Sequence, residues 1–299
     1  KEFDPRISLE LNDVYLKLNL NEKSLQINTA DPKIFIDKDF IDLLDISINL
    51  NFINFIKKSN FINKIKITSK ENSIRNVTKF LNTYKFNLPL FVAYNQIESG
   101  SIKAIANIYP SEKDNQKFKY LIIGKIIDAN LNILNKEQVK NINFNFHVKD
   151  QKLEFKNINL FYNNIELSSK KISVAKRKDN FEIIGNFKNK KSLIKPKSFF
   201  KLVDFKLDIL DEKEILIETD NNFSFNIDNQ RKIRNINYKS SIKFDKIFIN
   251  KKYQDLIFLK NGKIITDYSN KNLKIKVDSE YSFLNNKYNK KNDKNNILV

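Results

Sequence analysis

Apolar side chains recur at every second residue through most of this chain, and that rhythm restricts what it can fold into. In "NINFNFHVKD", Ile142, Phe144, Phe146 and Val148 alternate with Asn143, Asn145 and His147. The beat restarts at Leu153 and Phe155, at Ile165 and Leu167, at Ile172 and Val174, and at Phe181 and Ile183. A period of two marks β-strands with one apolar face. "RISLELNDVYLKLNL" carries Ile7, Leu9 and Leu11 and then, after a slip at Asn12-Asp13, Val14, Leu16, Leu18 and Leu20. "LDISINLNFINFI" places Leu44, Ile46, Ile48, Leu50 and Phe52 on one side, and similar runs continue to "NLKIKVDSEYSF". The breaks are short and rich in Asn, Asp, Lys and Ser, with Asx-type turns standing in for glycine, of which there are only four. Crossover elements for parallel pairing are mostly missing. The expected fold is therefore mostly β: a meandering antiparallel sheet with one or two short helices.

Two segments break the rhythm. "NSIRNVTKFLNTY" (Asn72 to Tyr84) has Ile74, Val77, Phe80, Leu81 and Tyr84 at helical spacing, with Asn72 or Ser73 placed to cap it. "KPKSFFKLVDF" (Lys195 to Phe205) reads either as a second, weaker helix with Pro196 in its first turn or as a buried strand, since its apolar spacing permits both. The greasiest stretches, "LPLFVAY" and "YLIIGKII", are strand-length, well short of the ~18 apolar residues of a spanning helix. No Pro-, Gly- or Ser-rich linker separates domains. The expectation is one continuous elongated architecture: a first β segment over 1–188, further hairpins over 189–284 after a soft seam near Asn189 to Pro196, and a polar tail or cut loop over 285–299. The chain contains no methionine and opens on "KEFDPRISLEL", so a fragment is expected, with any signal or anchor upstream.

Catalytic chemistry is thinly supplied. Without cysteine there are no disulfides, thiol nucleophiles or Cys-based metal sites. The single histidine, His147, lies on the polar phase of its strand without a Ser-His-Asp or Cys-His pattern. "DILDEKE" (Asp208, Asp211, Glu212, Glu214) lacks the spacing and central glycine of a calcium loop and reads as a solvated turn. "DNNFSFNIDNQ" reads as turn, strand, turn. No phosphate-cradling or hydrolase motif occurs. The expectation is no enzyme activity, no cofactor and no metal. The formal charge of +19 invites a nucleic-acid partner, but Lys149, Lys156, Lys170, Lys188, Lys206 and Lys243 are dispersed over turns and polar faces. The in-strand aromatics sit in the apolar phase, where stacking on bases would compete with packing. No nucleic-acid partner is expected.

A sheet with one apolar face needs a covering layer. It can fold on itself as a sandwich, close into a barrel, or form a trough filled by an apolar ligand. The apolar phase mixes Ile, Leu and Phe with little polar interruption, which favours a uniform greasy strip. The order of segments is itself informative. A short helix precedes a "G-x-I-x-A" strand (Gly100, Ile102, Ala104) and a "G-x-I-x-x-A-x-L" strand (Gly124, Ile126, Ala129, Leu131). An "x-F-x-F" strand follows, feeding "L-x-F-x-N-I", then an "I-x-L-x-S-x-x-I-x-V" strand and an "F-x-I-x-G" strand. This cadence, carried best by residues 60 to 188, resembles the AsmA-like family (AsmA/TamB/YhdP type).

The resemblance implies a long curled antiparallel sheet, taco- or gutter-like, forming a non-enzymatic β-groove in the periplasm and anchored to the inner membrane. Such a groove carries phospholipid acyl chains toward the outer membrane of a Gram-negative-type bacterium, with outer-membrane or periplasmic proteins as possible partners. The groove lining it implies is Ile142, Phe144, Phe146, Val148, Leu153, Phe155, Ile165, Leu167, Ile172, Val174, Phe181 and Ile183. The alternatives are a structural or adhesive array of β-sandwiches and a basic nucleic-acid binder.

Overall fold

The computed structural model describes residues 4–57, 61–86, 88–111, 114–133, 137–195, 211, 213–230, 232–248, 257–269, 272–283 and 294–298. They fall into two units, Lys1–Ile158 and Asn159–Val299. Among the described residues the chain is mostly β, an antiparallel sheet not closed into a barrel, with three short helices.

The first unit opens with β1 (Ile7–Asn19), β2 (Ser24–Ile36), β3 (Asp39–Asn51), α1 (Phe52–Ile56) and β4 (Ile62–Ser69). It continues with β5 (Asn72–Ser73), α2 (Ile74–Tyr84), α3 (Leu88–Gln96), β6 (Ile97–Ser111), β7 (Asp114–Ile133) and β8 (Glu137–Lys149), and then β9 (Lys152–Tyr162), which runs past the boundary. Its strands lie in the order β1-β2-β3-β4-β6-β7-β8-β9, with the short β5 beside β6. In the second unit β10 (Ile165–Lys176), β11 (Asn180–Ile194), β12 (Ile215–Asp228), β13 (Ile233–Phe248), β14 (Ile257–Ser269), β15 (Asn272–Phe283) and β16 (Lys294–Leu298) pair in chain order. The expected helix or strand at Lys195–Phe205 lies outside the described residues except for Lys195. So does most of the 285–299 tail, whose residues Lys294–Leu298 form β16 against β15.

Asn and Asp do the conformational work expected of them. Among the described residues, every non-glycine with positive φ is Asp or Asn, apart from Lys23. These short polar side chains tolerate the left-handed region better than other L-residues. Asn163 and Asn164, both at positive φ, make the two-residue turn between β9 and β10. Others sit inside strands as bulges. Asp13 in β1 accounts for the phase slip of that strand and faces a matching bulge at Asp31 in β2. Gly100, Asp128 and Asn141 repeat the device in β6, β7 and β8. A bulge in one strand answered by one in its neighbour leaves the register unchanged on either side, while the apolar phase of both strands switches together.

Three expectations need correction. Leu44 does not share a face with Ile46: a register shift between β3 and β4 falls there, Leu43 is buried and Leu44 exposed. "LPLFVAY" is helical rather than a strand, forming most of α3, because Pro89 suits a helix's first turn and cannot donate to a ladder. Asp220 to Asn222 is no turn but the middle of β12.

The predicted helix is present as α2, with Ser73 at its N-cap position and no side-chain cap bond. Ile74, Thr78 and Phe80 are its buried residues, and Ile74 reaches the bulge of β6. Lys79 donates to Asp39 at 2.6 Å, and Thr83 donates to the same carboxylate at 3.1 Å. Arg6 donates to the carbonyls of Thr83 and Tyr84, each at 3.1 Å, placing a cation on the helix's negative end.

Candidate functional site

Residues directly opposite each other in a ladder share a face, so the registers of the first unit trace its apolar phase from strand to strand. One row runs Val14, Thr29, Ile46, Ile67, Ala106, Ile122, Val148. Beside it runs Leu16, Ile27, Ile48, Ile65, Ile108, Tyr120, and two shorter rows follow, Ala104, Gly124, Phe146 and Ile102, Ile126, Phe144. The opposite phase is more polar, as in the row Tyr15, Asn28, Ser47, Lys66, Asn107, Leu121, Lys149. Ile27, Ile48, Ile65, Ile67, Ile108, Ile122 and Val148 each have strands on both sides and still remain only half-buried. A second sheet packed on them would bury them fully.

Most of the twelve implied lining residues belong to such faces, in different circumstances. Phe144, Phe146, Val148, Leu153 and Phe155 are half-buried. Phe155 meets Phe144 edge-on, with ring centroids 5.3 Å apart. The Phe146 ring lies flat over Gly124, where an added Cβ would come within 2.4 Å of its Cζ. Ile142 is buried at the bulge line. In the second unit Ile172 and Val174 are half-buried opposite Gly185 and Ile183. Ile183 is itself buried, and Phe181 is 42% exposed. Ile165 is buried in a cluster with Ile194, Ile215, Ile217, Phe244 and Ile247, and Leu167 packs against it. These two are covered by protein.

The second unit also holds a feature that sequence reasoning missed. Along the apolar phase of β11, β12 and β13 lie Asn189, Thr219, Asn221, Tyr238 and Ser240, a polar belt between the isoleucine cluster and the stacked rings of Phe187, Phe223 and Phe225. Thr219 donates to the Asn189 side chain, and Asn221 donates to Thr219 at 2.9 Å. Tyr238 and Ser240 both donate to Asn221 Oδ1, at 2.8 and 2.7 Å. Asn189, Thr219 and Ser240 are buried, so their satisfied hydrogen bonds are what makes burial tolerable. The signal was present in "NKK" and "ETDNN", where a polar residue occupies the apolar phase.

On the polar face, His147 Nδ1 lies 4.0 Å from the buried Glu154 carboxylate, which is paired with Lys152 at 2.8 Å and Lys156 at 3.3 Å. Among the described residues, no cluster of His, Asp and Glu is arranged to hold a metal ion. No helix among them is long and apolar enough to cross a membrane.

Compared with protein-family models, with curated proteins and with solved structures, the chain has no match.

Proposed function

We propose that the chain is a non-enzymatic lipid-binding protein of AsmA-like type. The apolar sheet face of its first unit takes phospholipid acyl chains in the periplasm, between inner and outer membranes. The observation that carries this reading is the pair of apolar rows crossing strand after strand with all their isoleucines but Ile46 half-buried. Acyl chains gain about 0.8 kcal/mol per buried CH₂ without needing a shaped pocket, so a uniform aliphatic strip suits them. Its polar reverse, with Lys66, Lys125 and Lys149, suits water.

The reading is tested by lipid extraction and mass analysis of gently purified protein. Photo-crosslinkers placed at Ile65 and Ile122 are compared with ones at Lys66 and Lys149. Phospholipid should co-purify and crosslink from the apolar positions alone. Lipid-free protein, or equal labelling from both phases, would sink it.

A further inference from the structure

We propose that β1 is a self-complementary edge through which two copies of this chain pair. Among the described residues β1 has one strand neighbour, β2, and its other side is open along thirteen residues. Leu9, Leu11, Val14, Leu16 and Leu18 are each 47% exposed or more. Such an edge is a template for another strand. The bulge at Asp13 (φ 43°) narrows the choice, because a regular strand laid beside it would lose register half-way along. A fitting partner carries its own bulge at the same height.

β1 of a second copy is such a strand. Asp13 is the midpoint of Ile7–Asn19, so antiparallel pairing of β1 with itself sets bulge beside bulge over the full length. The geometry already exists within the molecule, between β7 and β8. There Asp128 and Asn141 are both left-handed, and the flanking pairs are Ile126 with Phe144, Ala129 with Ile142, and Leu131 with Val139. Transferred to two copies of β1, this register sets Val14 opposite Val14 on the two-fold axis. Leu11 then faces Leu16, and Leu9 faces Leu18. Between them Glu10 of each copy faces Lys17 of the other, giving two opposite-charge pairs. Every apolar residue meets an apolar one, and the central apolar row of the first unit continues through Val14 into the second copy.

The chain has no cysteine, so single introduced cysteines report the register directly. The full chain should sediment as a dimer. Val14→Cys should form an intermolecular disulfide under mild oxidation, and Leu18→Cys alone should not. A mixture of Leu9→Cys and Leu18→Cys proteins should crosslink. Lys17→Glu should weaken the dimer about tenfold by setting like charges opposite each other, and adding Glu10→Lys should restore it. Circular dichroism confirms that each variant keeps its sheet. A folded chain that stays monomeric overturns the proposal, as does a dimer in which Val14→Cys stays reduced or Leu18→Cys crosslinks with itself.

Discussion

Glycine is used in these strands less for freedom of the backbone than for the ring above it. Gly124, Gly185 and Gly262 each stand directly opposite a phenylalanine, Phe146, Phe223 and Phe244, whose ring occupies the space a side chain would fill. At Gly262 an added Cβ would come within 2.0 Å of Phe244 Cζ, and Phe244 belongs to the isoleucine cluster. Gly262→Ala should therefore force the ring out of that cluster and destabilise the second unit by about 1–3 kcal/mol. Thermal unfolding followed by near-UV circular dichroism of the phenylalanines would show it, and an unchanged melting point would refute it. The scarcity of glycine was legible in the sequence. Its pairing with Phe was not, because register belongs to two strands and periodicity describes one.

A second residue-scale consequence concerns Asp228, at the end of β12. The backbone N–H of Lys232 holds its carboxyl below the usual carboxylate range, against the opposing effect of desolvation; the Arg234 side chain and the N–H of Gln230 add to the lowering. A depressed folded-state pKa means the contribution is present above the unfolded pKa and is lost as pH falls through the folded one. Amide exchange at Gln230 and Lys232, corrected for intrinsic rates, should accelerate as the solution is acidified through that range. In Asp228→Asn it should be fast already at neutral pH, with little pH dependence.

At the level of elements, the bulges decide how the strands share a face. In β6, β7 and β8 the line through Gly100, Asp128 and Asn141 is tied by side-chain amides. Asn130 donates to Ser99 and accepts from the Asn141 N–H, while Asn143 donates to both Asp128 and the Asn141 carbonyl. Asn141 enters these bonds through its backbone N–H and carbonyl. Asn141→Gly should accordingly be nearly neutral, whereas Asn141→Val should cost about 1–2 kcal/mol for a branched side chain held at φ 51°. Hydrogen exchange of the β8 amides separates the two variants, and equal protection in both would refute the account. Much of this scale was readable beforehand. The slip at Asn12-Asp13 was visible because the apolar residues of β1 pass from odd positions (Ile7, Leu9, Leu11) to even ones (Val14, Leu16, Leu18), and α2 was visible from its spacing. The break at Leu44 was hidden because Leu43 and Leu44 are both apolar, and α3 was hidden because its seven-residue apolar run, Leu88 to Tyr94, has no period to read.

For the molecule as a whole, the two units present different apolar faces. The first is largely apolar from row to row, with most of its interior isoleucines half-buried. The second is split by Asn189, Thr219, Asn221 and Ser240, with a closed isoleucine cluster on one side of the belt and phenylalanines on the other. An acyl chain gains from every CH₂ it lays on the first face. On the belt it would meet hydroxyls and amides that bond each other and offer nothing in exchange for the water displaced. Lipid contact, on the proposed reading, should therefore be continuous over the first unit and interrupted at the belt. A crosslinker scan at Ile48, Ile65, Ile108 and Ile122, and then at Ile183, Thr219, Ser240 and Ile264, tests this. Labelling should be strong at the first four and drop to background at Thr219 and Ser240. Labelling at Thr219 as strong as at Ile65 would mean that the belt lies in the lipid path and its hydrogen bonds open to admit a chain. Thr219→Val distinguishes a structural belt from an incidental one. Loss of its hydroxyl leaves the buried Asn189 short of a donor and Asn221 short of an acceptor, and should destabilise the second unit by about 1–3 kcal/mol while leaving lipid labelling of the first unit intact.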